Sequence, residues 1–307
     1  MAIILAAMAL SIFPRRARRY SGLASALVLL GCGAAFAADA PVSGDEAIET
    51  AVNEPRPLWE VGLAAGGGTY ANYPASNDYR FIALPLPYFI YRGGFLRSDA
   101  NGPRLHVQSA NVEWELSGTA EIASRSQSGA RKGMPRLDNL LEGGPKARVT
   151  LFRPSTDSRW FVDLPLRAAI TTNFSSRLDS RGVAFSPDIV YEDKSIIGSP
   201  WGGRFSLGAT ITTSGLQRYW YQVDPQFATP ERPAYQAHSG YLESTMSFTV
   251  FRAITPHLNI ILSGDLNLYD GAANRYSPLF KDKSGYSLFG GFAWSVWQSE
   301  QREHESD

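Results

Sequence analysis

The stretch VEWELSGTAEI, residues 112–122, alternates between apolar or small residues and polar ones. Side chains of a β-strand point to opposite faces with a period of two, so this stretch predicts a strand with one apolar and one acidic face. In a soluble sheet the apolar face packs against a core. In an outer-membrane barrel it contacts lipid, and the polar face lines the lumen. The rest of the sequence has to decide between these two arrangements.

The N-terminal region has the order of residues that is typical of a secretory signal peptide. Four arginines lie within residues 15–19, an apolar run covers residues 23–30, and Ala35-Phe36-Ala37 provides a small-residue cleavage site. This order predicts that residues 1–37 are a signal peptide that directs export, with translation starting at Met1 or Met8.

The single cysteine, Cys32, lies inside this region and leaves two outcomes open. The residues Leu29-Leu30-Gly31-Cys32 resemble a lipoprotein box, in which Cys32 would carry lipid. Cleavage after Ala37 would instead remove Cys32 and leave a mature chain without cysteine. In neither case can the chain form an internal disulfide.

The composition excludes some classes of protein and favours a membrane barrel. After residue 37 the chain has 25 basic and 29 acidic residues, which gives no electrostatic basis for binding nucleic acid. No run of about 18 apolar residues follows, so no helical membrane span is predicted. Aromatic residues make up 12% of the chain and charged residues only 19%, less than the roughly 25% usual in soluble domains.

Strand-like segments recur from residue 58 to residue 297, separated by Gly, Asn, Asp and Pro. The segments are 58–70, 80–92, 105–123, 146–153, 159–171, 183–192, 203–213, 219–223, 240–254, 257–270 and 286–297. Before them, residues 38–57 contain three prolines and five acids and predict a flexible periplasmic lead-in, and a polar tail covers residues 298–307. The pattern therefore predicts an all-β chain that forms one antiparallel transmembrane β-barrel in the outer membrane.

The number of strands in a single-chain bacterial barrel with both ends in the periplasm is even, so the eleven segments cannot all be spanning strands. The long loops 124–145 and 270–285 should be extracellular, and the tight turn at Thr255-Pro256 should be periplasmic. These assignments agree if Tyr219–Val223, which is too short to cross a membrane, is a loop. The prediction is ten strands, with twelve as the alternative.

Tyrosine and tryptophan at the segment ends predict aromatic girdles at the two membrane interfaces. The residues concerned are Trp59, Tyr70, Tyr91, Trp160, Tyr191, Trp201, Tyr286 and Trp297.

Two short motifs resemble those of a known family. Tyr73-Pro74-Ala75-Ser76 is followed by Pro85-Leu86-Pro87-Tyr88-Phe89-Ile90-Tyr91-Arg92, and looser matches lie at residues 219–223 and 275–279. Their order along the chain resembles the MltA-interacting protein (MipA) family, also called the OmpV-like outer-membrane proteins. That family often has Gly where this chain has Ala75. The resemblance covers about residues 58–297, and the motif residues are Tyr73, Pro74, Ser76, Pro85, Pro87, Tyr88, Tyr91 and Arg92.

The resemblance implies a barrel in the outer membrane. For the family's namesake it implies a scaffold that joins a lytic murein transglycosylase to a bifunctional penicillin-binding protein. Other members are described only as outer-membrane proteins or suspected channels. The expected partners are therefore outer-membrane lipid, a lytic transglycosylase and a penicillin-binding protein. The alternative function is a narrow channel for small solutes.

Pro85 and Pro87 have no N–H group to donate to a neighbouring strand. Because they are two residues apart, both nitrogens face the same neighbour, where each bare carbonyl would cost several kcal/mol in lipid. The favoured interpretation places them near the rim or at a bulge, where water reaches those carbonyls. The alternative is a weak seam in the barrel wall at which a partner docks.

The sequence predicts no catalytic, cofactor-binding or metal site, and hence no enzyme. The four histidines, His106, His238, His257 and His304, are scattered. His238 and Ser239 are adjacent, so on a strand they would point to opposite faces and could not form a nucleophile–base pair. One cysteine and scattered histidines give no metal-ligand spacing.

The glutamates of the opening strand, Glu113, Glu115 and Glu121, are predicted to face the lumen. An open lumen lined with these acids would favour cations. A narrow barrel would instead use them to pair with inward arginines such as Arg148 or Arg167 and so plug the lumen. The plugged lumen is the favoured interpretation, because open aqueous pores are typical of barrels with roughly 16 strands.

Overall fold

A computed structural model describes residues 57–92, 96–99, 102–105, 107–109, 111–122, 129–173 and 178–301. They form one antiparallel sheet of fourteen strand segments. The segments are β1 (Trp59–Ala71), β2 (Tyr79–Arg92), β3 (Leu96–Asp99), β4 (Gly102–Leu105), β5 (Val107–Ser109), β6 (Val112–Glu121), β7 (Asn139–Phe152), β8 (Ser158–Thr172), β9 (Leu178–Phe185), β10 (Asp188–Asp193), β11 (Gly202–Thr212), β12 (Gly240–Thr255), β13 (Leu258–Leu268) and β14 (Ser284–Gln298). The signal peptide, residues 38–56 of the lead-in and residues 302–307 of the tail lie outside the described residues.

The fourteen segments make a barrel of twelve strands. β9 and β10 follow one another between β8 and β11, and together they act as one interrupted strand. In the same way, β4 pairs with β3 and β5 pairs with β6, so β4 and β5 act as one interrupted strand. β1 pairs with both β2 and β14, which joins the first part of the barrel to the last. The antiparallel barrel predicted from the sequence is confirmed. Its strand count is that of the alternative, twelve, and not ten.

The two additional strands form a short hairpin between β2 and β6. β3 and β4 have four residues each and β5 has three, whereas a tilted strand needs roughly 9–11 residues to cross a bilayer. β3 pairs only with Tyr91 and Arg92 of β2, and β5 pairs only with residues 112–114 of β6. The hairpin therefore lies beside one end of its neighbours, and no strand of the described ranges covers the other end.

The two ends of the barrel differ in the lengths of their connections. Leu58 and Trp59 are hydrogen-bonded to Gln301 and Ser299 at the end where the connections 153–157, 194–201 and 256–257 are short. The connections at the opposite end, residues 122–138, 213–239 and 269–283, are long. Because outer-membrane barrels have short periplasmic turns and long extracellular loops, we assign the end at which the first and last described strands begin and end to the periplasm.

The outward face of the barrel is apolar and the inward face is polar. On β6, Trp114 is 53% exposed whereas Glu115 is only 9% exposed. The same alternation exposes Leu288 and Phe292 of β14 and buries Ser295. The apolar face of the opening strand therefore contacts lipid, as an outer-membrane barrel requires.

Aromatic rings lie near both ends of the barrel. At the periplasmic end the ring centroids of Trp160 and Tyr191 are 5.0 Å apart, and at the extracellular end those of Tyr79 and Tyr286 are 4.8 Å apart. Tyr70 differs from its prediction as a girdle residue, because it lines a small cavity at the extracellular mouth instead of facing lipid.

β2 has an edge with no partner strand over most of its length. On the side away from β1, no strand in the described ranges pairs with residues 79–90. Pro85 and Pro87 lie opposite Ala65 and Leu63 in the middle of β1, and the register between β1 and β2 does not shift there. An uninterrupted ladder with β1 is expected if both proline nitrogens face the other edge. The prolines are thus neither at the rim nor at a bulge but on this unpaired edge, which we call the seam.

Residues 219–223, which the sequence places in a loop, belong largely to the helix α1 (Ser214–Tyr221) in the long connection between β11 and β12. The segment is therefore not a strand, in agreement with its removal from the strand list to make the number of strands even. In the described part of the chain, no helix is long and apolar enough to cross a membrane.

Candidate functional site

The inward faces of β6, β7, β8 and β11 carry a network of buried charges. Arg148 donates from Nε to Oδ1 of Asp163 (2.8 Å) and from Nη2 to Oδ2 (2.9 Å). Arg204 Nη2 donates to the same Oδ2 (3.1 Å). Glu115 forms ion pairs with Lys146 (2.7 Å) and Arg148 (3.6 Å). We call these five residues the interior charge network.

Phe161 is fully buried beside this network, and three guanidinium groups lie close to its ring. The Cζ atoms of Arg148, Arg159 and Arg204 are 4.3, 4.9 and 5.2 Å from the centroid of its ring. Arg159 also forms an ion pair with Glu192 (3.0 Å). Each cation–π contact contributes roughly 0.5–2 kcal/mol, so the ring and the carboxylates together hold the cations across the middle of the barrel.

Glu113, Glu115 and Glu121 share one face of β6; Glu115 is buried and the other two are partly buried. Glu115 pairs with Arg148, one of the two arginines considered for this role from the sequence. Arg167 pairs instead with Glu142 of β7, whose carboxylate lies 3.0 Å from it. Acids and bases on the inward wall therefore neutralise one another, which is the arrangement expected of a filled lumen.

The extracellular loops fold over the barrel mouth and form a lid with its own apolar core. The lid consists of residues 72–78, 129–138, 213–239 and 269–283. Leu216, Trp220 and Tyr221 of α1 are at most 2% exposed and pack with Leu279, which is fully buried. Leu140 and Ala169, near the ends of β7 and β8, extend this core into the barrel wall. The lid thus has a buried apolar core of its own.

The first family motif, residues 73–76, fastens the lid. Tyr73 is buried and donates its hydroxyl to the carbonyl of Leu279 (2.8 Å). The carbonyl of Pro74 accepts the hydroxyl of Tyr221 (2.9 Å). Two hydrogen bonds therefore connect the first loop to α1 and to the loop after β13.

Ala75 has a φ of 59°, in the left-handed region that favours glycine. This conformation explains why the family that the motif resembles often has Gly at this position. The carbonyl of Ala75 accepts the N–H groups of Lys281 (2.9 Å) and Asp282 (3.1 Å), and Ser76 Oγ accepts the N–H of Asp78 (3.1 Å). The strained residue is held by contacts on both sides.

The two looser motifs meet the first one in the same lid. Ser277 donates its hydroxyl to the carbonyl of Tyr221 (2.8 Å), and Gln222 accepts the N–H of Ala237 (2.9 Å). Three stretches that are far apart in sequence are therefore brought together in space.

The second motif, residues 85–92, builds the barrel wall instead. The hydroxyl of Tyr88 lies 2.8 Å from Ser295 Oγ, which donates to Glu60 (2.8 Å) on the inward face near the periplasmic end. The backbones of Tyr91 and Arg92 pair with β3. The motif also includes the two prolines on the seam, so all of it lies in β2.

Burial of the lid tyrosines makes the lid sensitive to high pH. Burial raises the pKa of Tyr73 to about 12, and it also raises the pKa values of Tyr219 and Tyr221. A phenol with a raised pKa keeps its proton in the folded state when the unfolded chain, with pKa values near 10, has lost it. The stability that the protonated phenol contributes is complete below about pH 10, the pKa in the unfolded chain. It is lost as the pH rises through the pKa of the folded state.

We therefore expect the lid to open between about pH 10 and pH 12 while the barrel strands stay folded. Limited proteolysis of the loop 213–239 across this range measures the opening. Tyr73→Phe should weaken the pH dependence, whereas Tyr276→Phe, which alters a tyrosine that is 75% exposed, should leave it unchanged. A lid that resists proteolysis equally at pH 9 and pH 12 would contradict the expectation.

The described ranges contain no group of three or more His, Cys, Asp or Glu residues placed to hold a metal ion. His238 lies in the lid, where its N–H donates to Asn274 (3.1 Å) and its carbonyl accepts from the same amide (2.8 Å). His106 and His304 lie outside the described residues.

A family model described as MltA-interacting protein MipA matches residues 61–296. Among solved structures, the chain is similar to a NanC porin, with 9% identity and a TM-score of 0.38 over 76% of this chain and 100% of that one. It is also similar to outer membrane phospholipase A from Escherichia coli, with 8% identity and a TM-score of 0.30 over 83% and 98% of the two chains. A comparison with curated proteins found no match. The family match spans nearly the whole barrel.

Proposed function

Because the chain belongs to the MltA-interacting protein family, MipA, we propose that it is a non-enzymatic scaffold of the outer membrane. Its periplasmic face would bind a lytic transglycosylase of the MltA type and, through the same assembly, a bifunctional penicillin-binding protein. The barrel would hold murein hydrolase and synthase together at the membrane.

The buried charge network of the interior is the observation that supports this proposal. Asp163, Arg148 and Arg204 are each at most 4% exposed, and they cross-link three strands in the middle of the barrel. The lid adds an apolar core above them. A barrel that is filled and capped in this way is suited to present a rigid surface rather than to conduct solutes.

The turn between β10 and β11 supplies a contact point on the periplasmic face. Ile197 at its tip is 98% exposed and has a φ of 53°, which is unusual for a β-branched residue. Ser195 Oγ donates to the carbonyl of Ser199 (2.8 Å), and Ile196 N–H donates to Trp201 O (2.8 Å). An apolar side chain held in a strained conformation on a hydrogen-bonded turn is preorganised for a partner.

Affinity capture tests the scaffold. The tagged protein, solubilised in mild detergent, should retain a lytic transglycosylase or a penicillin-binding protein from native envelopes above the level retained by an unrelated barrel. Recovery of assembly factors and lipopolysaccharide alone would overturn the scaffold.

Ile197→Gly tests the contact point. Glycine relieves the left-handed strain, so the variant is expected to be more stable by about 1 kcal/mol. It should nevertheless bind the captured transglycosylase about tenfold more weakly, because an exposed apolar anchor is lost. Ala75→Gly is the matched control, since it relieves similar strain on the extracellular side and should leave binding unchanged. Equal binding by both variants would exclude Ile197 without excluding the scaffold.

The alternative function, a narrow channel, rests on the inward acids of β6. Planar-bilayer recordings test it directly. The scaffold proposal expects no measurable conductance from the intact protein. Conductance that changes with Glu113→Gln and Glu115→Gln together would favour the channel.

A further inference from the structure

The lid contains a cavity of about 580 Å³ that opens to the extracellular side. Four arginines line it, and only two acidic residues, Asp138 and Asp224, lie among the lining groups. Its volume falls within the range of roughly 300–1,000 Å³ that is usual for ligand pockets. The arginines are Arg131, Arg136, Arg181 and Arg218.

Arg131 is a buried cation at this cavity. It is 6% exposed, its Nη1 donates to the carbonyl of Trp220 (2.9 Å), and its Cζ lies 5.9 Å from the centroid of Tyr73. Its Nε is buried and has no hydrogen-bond partner among the described groups. A buried guanidinium at the cavity wall favours an anionic ligand, because such a ligand would supply a compensating negative charge.

Arg136 and Arg218 differ from the arginines that hold the lid together. Arg232 donates to the carbonyls of Ala130 (2.9 Å), Lys132 (2.8 Å) and Phe227 (2.8 Å), so its charge is used within the structure. Arg136 and Arg218 are exposed at the cavity, and within the described part of the chain neither guanidinium group makes a hydrogen bond or an ion pair. Their guanidinium groups remain available to a ligand.

We propose that this cavity binds an anionic saccharide that carries phosphate or carboxylate groups. Arg181 is already paired with Asp179 (3.4 Å), and the other three lining arginines still outnumber the two lining aspartates, which matches a negatively charged ligand. Gln236 is exposed at the cavity, and its amide is a neutral donor and acceptor suited to sugar hydroxyls. Tyr219 and Gln222 also line the cavity, but their polar groups are hydrogen-bonded within the lid. Such a ligand has two sources, the headgroup of an outer-leaflet glycolipid or a free acidic oligosaccharide.

The test uses the full protein in nanodiscs of neutral lipid and isothermal titration calorimetry. The probes are a deacylated glucosamine disaccharide bisphosphate and trigalacturonate, with neutral maltotriose as the control ligand. We expect saturable binding of at least one acidic probe, weakening as salt is raised, and no binding of maltotriose. Absence of binding by both acidic probes would overturn the proposal.

The variant Arg136→Gln with Arg218→Gln should weaken binding about tenfold or more, because two charge-assisted hydrogen bonds are lost. Both side chains are exposed, so the fold should persist, and unchanged heat-modifiable migration on gels would confirm it. Arg275→Gln removes an exposed arginine of the same lid outside the cavity and should bind normally. Equal affinity of the double variant and the wild type would overturn the site.

Reconstitution with lipopolysaccharide distinguishes the two sources. If the lipid headgroup is the occupant, the soluble probe should no longer bind once lipopolysaccharide is present. If a free saccharide is the occupant, binding should continue in both kinds of nanodisc. Either result supports the anion site and assigns its source.

Discussion

Asp163→Ala is expected to lower the free energy of unfolding by about 3–5 kcal/mol, the cost of removing one partner from a buried ion pair. The carboxylate accepts hydrogen bonds from Arg148 and Arg204 and lies 3.5 Å from Lys146 Nζ. Without it, two guanidinium groups that are nearly inaccessible to water would keep their charges with fewer partners. The protein would be refolded into lipid vesicles, and urea unfolding would be followed by tryptophan fluorescence.

Glu113→Gln is the matched control, because Glu113 lies on the same inward wall but is only partly buried. It should change the unfolding free energy by less than about 1 kcal/mol. Adding Arg148→Met to Asp163→Ala should restore part of the loss, since a buried charge is then replaced by an apolar side chain of similar length. A loss below 1 kcal/mol for Asp163→Ala would mean that water or other groups compensate the cations.

The alternation of apolar and polar residues made much of the barrel predictable. It identifies ten of the strands, counting β9 and β10 as one, because long membrane strands must keep one face apolar throughout. The same alternation in residues 159–171 places Asp163 on one face with Arg159 and Phe161, so the inward position of this member of the interior charge network could be predicted from the sequence. The partner of each charge could not be predicted from the sequence, because pairing depends on the register between strands.

Other features could not be predicted because they have no local pattern. The hairpin β3–β4 is too short for its alternation to stand out, and β7 begins at Asn139 within a stretch assigned to a loop. The aromatic residues 219–221 suggested a strand, but in the structure they form the end of α1, where packing within the lid overrides local propensity. The arginines of the lid cavity come from two connections and from β9, so only the fold brings them together.

Because the strands of the β3–β4 hairpin are short, most of the outer edge of β2 has no described partner strand. Its outer edge at residues 79–90 has no partner strand in the ranges that the structure describes, and Phe81 beside it is 71% exposed toward lipid. An open edge in a membrane would present unpaired N–H groups, each costing several kcal/mol. Pro85 and Pro87 remove two of these donors, and they also hinder pairing with the edge of another molecule.

Pro85→Val with Pro87→Val is therefore expected to lower the free energy of unfolding by more than about 2 kcal/mol, or to produce dimers joined along the seam. The threshold exceeds the roughly 0.4–1 kcal/mol per residue that follows from greater freedom of the unfolded chain. Ala83→Val is the control, because it enlarges an outward-facing side chain on the same edge and adds no N–H group. Urea unfolding and sedimentation velocity measure the two outcomes. A double valine variant that stays monomeric and loses no more stability than Ala83→Val would show that the new donors find partners, and hence that the seam is closed.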